Sequence, residues 1–199
     1  MAKKAYVYSG TDWVPLASEV TDLTAYSTST EIANTYATKA DNGLVHIETQ
    51  SVSGVAAVSF NNVFSATYDN YKIVAQTTGT AGASLTIRLR ASGTDLTSNV
   101  YELGQIYVGL GTAFALGSVN SSTSTSGQAF VISNGYRSGG SIDMMSPFLT
   151  EYTHWSGVSA GWLTVINGVQ VPNTNSYDGF TALATSITGT ISVYGYRKS

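Results

Sequence analysis

Two histidines, twelve carboxylates and no cysteine bound the chemistry open to this 199-residue chain. Without thiolates, disulfides and cysteine-type zinc sites are excluded. A zinc ion would need His46 and His154 together with carboxylates, or a symmetry axis that repeats one of them. His46 sits in the apolar run Leu44-Val-His-Ile-Glu48 and His154 in the aromatic run Tyr152-Thr-His-Trp155, so each also reads as an ordinary strand or loop residue. No Gly-x-Ser-x-Gly elbow and no His-Glu-x-x-His pair is present. Gly109-Leu-Gly111 begins a dinucleotide-binding pattern, but Phe114 stands where its third glycine belongs. The acids are scattered singly, without the local pairing that would mark a glycosidase centre. Asn173-Thr-Asn-Ser-Tyr-Asp-Gly179 offers oxygen donors but lacks the bidentate acid of a calcium loop, and reads as a turn. Arg88 and Arg90 share one strand face and suit a solvated surface or an ion pair better than an anion grip. The sequence therefore assigns no catalytic residue, no metal ligand and no cofactor. Aromatic side chains offer one binding chemistry. Tyr136, Tyr152 and Trp155 can make a flat platform on which sugars stack, although Trp155, like Trp162, equally suits a core.

Composition limits the partners. Charged residues make up 11% of the chain, against about a quarter in ordinary soluble proteins. Serine and threonine, 26 of each, take their place, beside 20 glycines and 13 tyrosines, a mixture suited to half-buried strands and turns. A surface so poor in charge suits coverage by neighbouring subunits. The net charge of −3 lies in residues 1–50, which hold three basic and six acidic residues; the remainder holds six of each. No basic patch for nucleic acid exists. No apolar run reaches the roughly 18 residues of a membrane span. The start, Met-Ala-Lys-Lys-Ala-Tyr-Val-Tyr, turns polar before a signal-peptide core forms, which implies synthesis in the cytoplasm without export.

The elements that must position these residues fall into three parts. Residues 1–27 form an attachment segment: Ala-Tyr-Val-Tyr (5–8) and Trp-Val-Pro-Leu (13–16) flank Ser-Gly-Thr-Asp as a small hairpin, with Tyr6, Tyr8, Trp13 and Leu16 as its docking side chains. Such a hairpin is marginal alone. Residues 28–42 predict a short helical neck. Thr28 and Glu31 have capping-box spacing, Asn42-Gly43 stops the helix, and Ile32 with Tyr36, and Ala33 with Ala40, line shared faces. Three turns are too few to stand alone in water, so the neck predicts association with copies of itself. Residues 43–199 predict a mainly β domain, an antiparallel sandwich or jelly roll. Its clearest strand is 84–91, where Leu85, Ile87 and Leu89 oppose Thr86, Arg88 and Arg90. Strands are also expected at 44–48, at 52–60 with an interruption at Gly54, and at 161–166, 169–171, 180–187 and 190–197. Asn167-Gly168 and Asn134-Gly135 carry hairpin chemistry.

The order of parts resembles the short fibre and appendage proteins of tailed bacteriophages, of marine and cyanobacterial type. The resemblance rests on Ala5–Leu16, on Tyr36-Ala-Thr-Lys-Ala-Asp-Asn-Gly-Leu-Val45 and on Phe64-Ser-Ala-Thr-Tyr-Asp-Asn-Tyr-Lys-Ile-Val74. Leu85-Thr-Ile-Arg-Leu-Arg-Ala-Ser-Gly-Thr-Asp95 and Ile191-Ser-Val-Tyr-Gly-Tyr-Arg-Lys198 complete it. It implies a non-enzymatic virion protein, a homotrimer whose first residues dock on other phage structural proteins. Its neck would be a three-chain bundle and its β-domain would point outward toward a host-surface glycan. A decorating or adaptor role, a carbohydrate-binding module and a glycan-degrading enzyme remain the alternatives.

Overall fold

The computed structural model describes residues 6–15, 43–79, 84–109, 116–121, 124–131, 137–161 and 163–198. The chain divides into two compact units, Met1–Asn42 and Gly43–Ser199. In the first, β1 (Tyr6–Tyr8) and β2 (Trp13–Pro15) pair antiparallel with Tyr8 opposite Trp13. Ser9 closes the turn: its amide donates to the Asp12 carbonyl at 2.8 Å, while its hydroxyl oxygen accepts the Asp12 amide at 3.2 Å. The neck over 28–42, with Ile32, Ala33, Tyr36 and Ala40, lies outside the described residues, as does Leu16.

The second unit is mainly β, as its alternating sequence predicts, and every strand pairing in it is antiparallel. In chain order its strands are β3 (Leu44–Phe60), β4 (Asn70–Thr78), β5 (Ser84–Ala91), β6 (Thr94–Asp95), β7 (Glu102–Gly109) and β8 (Leu116–Ser121). They continue as β9 (Gly127–Val131), β10 (Ser138–Met145), β11 (Thr153–Ala160), β12 (Leu163–Val171) and β13 (Gly179–Tyr196). All eleven belong to one sheet, ordered β6-β5-β13-β4-β10-β11-β12-β7-β8, with β3 added to β13 and β9 to β5.

The sheet turns on β13. Along one edge it bonds β3, from Phe180 opposite Phe60 to Tyr196 opposite Leu44. Its other edge is divided: Gly179–Leu183 pairs with β5 and Thr188–Gly195 with β4. Register shifts against β3 fall between Leu183 and Ile187 and between Ile187 and Gly189, with a third near the end. Extra residues of this kind bend and twist a strand, which lets one strand serve both arms of a curled sheet. The sequence divides this stretch into two strands at Thr188-Gly189; the structure keeps it as one, because the irregularity is absorbed within the ladder. Gly54, expected to interrupt β3, is likewise a positive-φ kink (66°) inside a continuous strand.

The arms close over a core made by the inward phase of each strand. Tyr71, Ile73 and Ala75 of β4 meet Leu85, Ile87 and Leu89 of β5, with Ile142, Met144, Val169, Val171, Ile191 and Val193. Phe60 stacks on Phe180 with ring centroids 4.7 Å apart. Tyr101 is buried as a bolt: its hydroxyl accepts the Leu89 amide at 2.9 Å and donates to the Leu96 carbonyl at 3.1 Å, and burial pushes its phenol pKa well up.

β9 packs across the inner face of the other arm. The carbonyl of Gln128 there accepts two buried donors, Trp155 Nε1 at 3.1 Å and Asn167 Nδ2 at 2.6 Å. This corrects the hairpin expected at Asn167-Gly168. Both residues lie in the middle of β12, opposite Gly157 and Ser156 on one side and Gln105 and Gly104 on the other. Asn167 takes the inward phase and its amide reaches the β9 carbonyl, so it ties two layers together rather than turning the chain. Asn134-Gly135 lies outside the described residues.

At Gly189, with φ of 140°, an added Cβ would collide with the carbonyl of Gln76. Gly189→Ala is expected to lower unfolding free energy by roughly 2–3 kcal/mol, through a strained φ and a displaced β4. Urea denaturation followed by circular dichroism measures it; an unchanged midpoint would rule out the bend as described.

Candidate assembly surface

Among the described residues, those that the sequence put forward for chemistry do not come together. Trp155 is 1% exposed, its ring edge-on to Tyr101 at 6.2 Å, so it belongs to the core and offers no face to a sugar. Its aromatic neighbour Tyr152 is exposed just before β11, and Tyr136 lies outside the described residues. The expected three-ring platform therefore loses its largest member, because the tryptophan takes the inward phase of its strand. His46 on β3 and His154 on β11 are separated by β13, β4 and β10, about 19 Å at the usual strand spacing. Among the described residues no group of three or more His, Asp or Glu side chains comes together to hold a metal ion. His46 instead bonds Thr49 Oγ1 at 2.7 Å and packs edge-on against Tyr194. Arg90 pairs with Asp95 and bonds Ser59 Oγ at 3.1 Å and Thr181 Oγ1 at 2.7 Å, while Arg88 Nε donates to the Thr125 carbonyl at 3.0 Å. Both arginines thus hold structure. In the first unit Tyr8 and Trp13 do meet, with ring centroids 5.4 Å apart, and both are exposed, Trp13 at 69%.

What the sequence reading missed is the outward face of β4, β10, β11, β12 and β7. Alternation sends polar residues outward on such strands, yet four aliphatic residues occupy that phase. Val74 is paired with Ser141, Ser141 with Val158, Val158 with Ile166 and Ile166 with Ile106. These residues form one cross-strand row, perpendicular to the strands. Val158, Ile166 and Ile106 are 51%, 57% and 53% exposed. The available signal was phase: Ile166 stands between the inward Val165 and Asn167. Misreading Asn167-Gly168 as a turn hid that phase.

Two shallow troughs flank the ridge. One, of about 670 Å³, is lined by Lys72, Val74, Gly139, Ser141 and Val158 among others. The other, of about 510 Å³, is lined by Glu102, Gly104, His154, Gly168 and Gln170 among others. Its floor is two facing glycines, Gly104 opposite Gly168. At neither would a Cβ meet any atom within 4 Å, so the fold does not require glycine there. Glycine inside a strand costs roughly 0.5–1 kcal/mol relative to alanine. The body tolerates that cost at two paired outward sites.

Lys72 and Asp143 form an ion pair on this face. Lys72 Nζ donates to Asp143 at 3.0 and 3.3 Å, and the Tyr196 hydroxyl donates to the same carboxylate. Partial burial disfavours the charge on Asp143, but the Tyr196 and Lys72 hydrogen bonds outweigh it and hold the carboxyl below its ordinary value. Burial likewise opposes the charge on Lys72, yet Asp143 raises its pKa above the usual lysine value. The depressed carboxyl contributes stability that is present above its unfolded pKa and lost as pH falls through the lower folded value. The raised lysine contributes stability present below its unfolded pKa and lost as pH rises through the folded one. Asp143→Asn should therefore destabilise the fold by about 0.2–1 kcal/mol at neutral pH. Thermal melts across pH should find that difference shrinking below about pH 4 and above about pH 10.5. A difference independent of pH would remove the ion pair as its cause.

No protein-family model matches this chain, and no curated protein is significantly similar to it, so the geometry of this face carries the functional argument.

Proposed function

We propose that this chain is a non-enzymatic structural protein of a virion, a short homotrimeric fibre or decorating appendage of a tailed bacteriophage. Residues 1–27 dock on other virion proteins, residues 28–42 join three copies, and the β body is displayed outward, in reach of a host-surface glycan. The observation that carries an assembly role is the aliphatic row on a sheet face where Lys72 and Asp143 already satisfy each other. Contiguous exposed apolar surface of this kind marks interaction sites. The low charge of the whole chain supports the same reading, because a surface destined for coverage avoids charges that would be costly to desolvate. The exposed Tyr8–Trp13 pair supports attachment through the first unit, since rigid aromatic anchors dominate binding energy at interfaces. The virion setting rests on the sequence resemblance alone.

Multi-angle light scattering is expected to give a mass that is a multiple of three chains. Ile32→Asp, in the neck, should reduce the number of chains per particle threefold. A protein that stays monomeric at tens of micromolar would overturn the trimer. The double variant Tyr8→Ala, Trp13→Ala should fold as the parent does and be missing from assembled particles, at least tenfold below parent by immunoblot. Normal incorporation would rule out the hairpin as the docking element.

A further inference from the structure

We infer that the outward face of β4, β10, β11, β12 and β7 is the interface with a second copy of this chain, related by a two-fold axis running parallel to β11 through Val158. This deepens the assembly reading above and rests on it, but it places a contact distinct from the neck.

The face matches itself about that axis. Counted across the sheet from β4 to β7, the row reads Val74, Ser141, Val158, Ile166, Ile106. A two-fold along β11 reverses this order on the opposing copy. Val158 then meets Val158 of the second copy, Val74 meets Ile106, and the protruding Ile166 lies over Ser141. Ser141 lines the larger trough, between Val74 and Val158. The neighbouring row behaves the same way. It reads Lys72, Asp143, Ser156, Gly168, Gly104, so the Lys72–Asp143 pair falls over the Gly168–Gly104 trough. Glu102 lines that trough and gives Lys72 a second carboxylate, so charge is complementary as well as shape. Val158 meets its like on the axis, Val74 and Ile106 meet as an aliphatic pair beside it, and Ile166 and the Lys72–Asp143 pair meet small residues. An isologous contact requires this pattern, and an unrelated partner gives no reason for it.

The extent is sufficient. Five strands about 4.8 Å apart, with four outward rows about 6.6 Å apart, cover roughly 600 Å² per copy once the margins are included. Two copies then bury somewhat more than the roughly 1,000 Å² of a specific interface. Sheets pack face to face about 10 Å apart with their strands within about 30° of alignment, which this axis permits. The outward glycines also gain a reason. A Cβ at Gly104 or Gly168 would meet no atom of its own body within 4 Å; it would point at the opposing Lys72 and Asp143.

The test uses the full chain and sedimentation equilibrium over a concentration series. Val158→Lys and Val158→Glu each place like charges on the axis. Each should halve the parent's mass and weaken pairing at least tenfold, and an equimolar mixture of the two should restore the parent's mass. Gly168→Thr should raise the melting temperature measured at concentrations too low for pairing, because it removes a strand glycine, and should lose pairing at least tenfold because the trough is filled. If Val158→Lys sediments as the parent does, or the mixture fails to recover, the two-fold face is overturned. The first result is also expected if residues 1–42 or an unrelated protein cover the face. Ile32→Asp reads the neck separately: a mass that responds to it and not to Val158→Lys leaves the trimer standing and removes the face-to-face pair.

Discussion

The body depends on one strand hydrogen-bonding along both edges while it bends. β13 is 18 residues long, and its neighbours on one edge change from β5 to β4 as it passes the irregular stretch between Leu183 and Gly189. A straight strand would leave β5 and β4 in one flat layer and the core open on one side. The bend sends them into two arms that face each other. Phe180 and Ile191, on either side of the bend, can then be buried in the same cluster. Backbone pairing supplies the continuity and burial the closure. Where the arms meet, the Gln128 carbonyl accepts Trp155 and Asn167, satisfying two donors that would be costly to bury unpaired.

This mechanism explains how much of the structure was legible from sequence. Alternation identified the β class and the inward residues of β5, because period-two burial depends only on near neighbours. Two short apolar-aromatic runs around Ser-Gly-Thr-Asp likewise marked the hairpin of the first unit, where the turn residues are local. Alternation failed wherever a residue's meaning came from a distant strand. Asn167-Gly168 has the composition of a turn, but Asn167 is held by a carbonyl 39 positions away in sequence. Gly189 has the look of a break, but the paired edges of β3 and β4 carry the strand through it. Trp155 fitted either core or surface, and the contact with Tyr101 and the bond to β9 decide for the core.

The outward face was illegible for a related reason. Each of Val74, Ile106, Val158 and Ile166 is unremarkable alone, since single exposed aliphatic residues are common on protein surfaces. They acquire meaning through register, when four successive pairings set them side by side. No window of sequence contains that row, because its members are drawn from residues 74 to 166 and only the strand order connects them.

Register also supplies the argument for why the troughs are there. Inside a sheet glycine is disfavoured, because it packs nothing and gains the unfolded chain extra entropy. A close neighbour excuses it at Gly157, where a side chain would collide with Ser141 and Ile142. No such neighbour exists at Gly104 or Gly168, yet the two are directly paired, and across the ridge Gly139 and Ser141 keep the other trough low. Small residues placed outward, in register and beside exposed aliphatic ones, give a relief of ridge and hollow that the body's own stability does not need. Interior packing selects size from within; relief on an outer face is selected by what lies against it. On that ground the outward glycines and the aliphatic row are two halves of one surface, and the proposed pairing would offset their cost in strand stability.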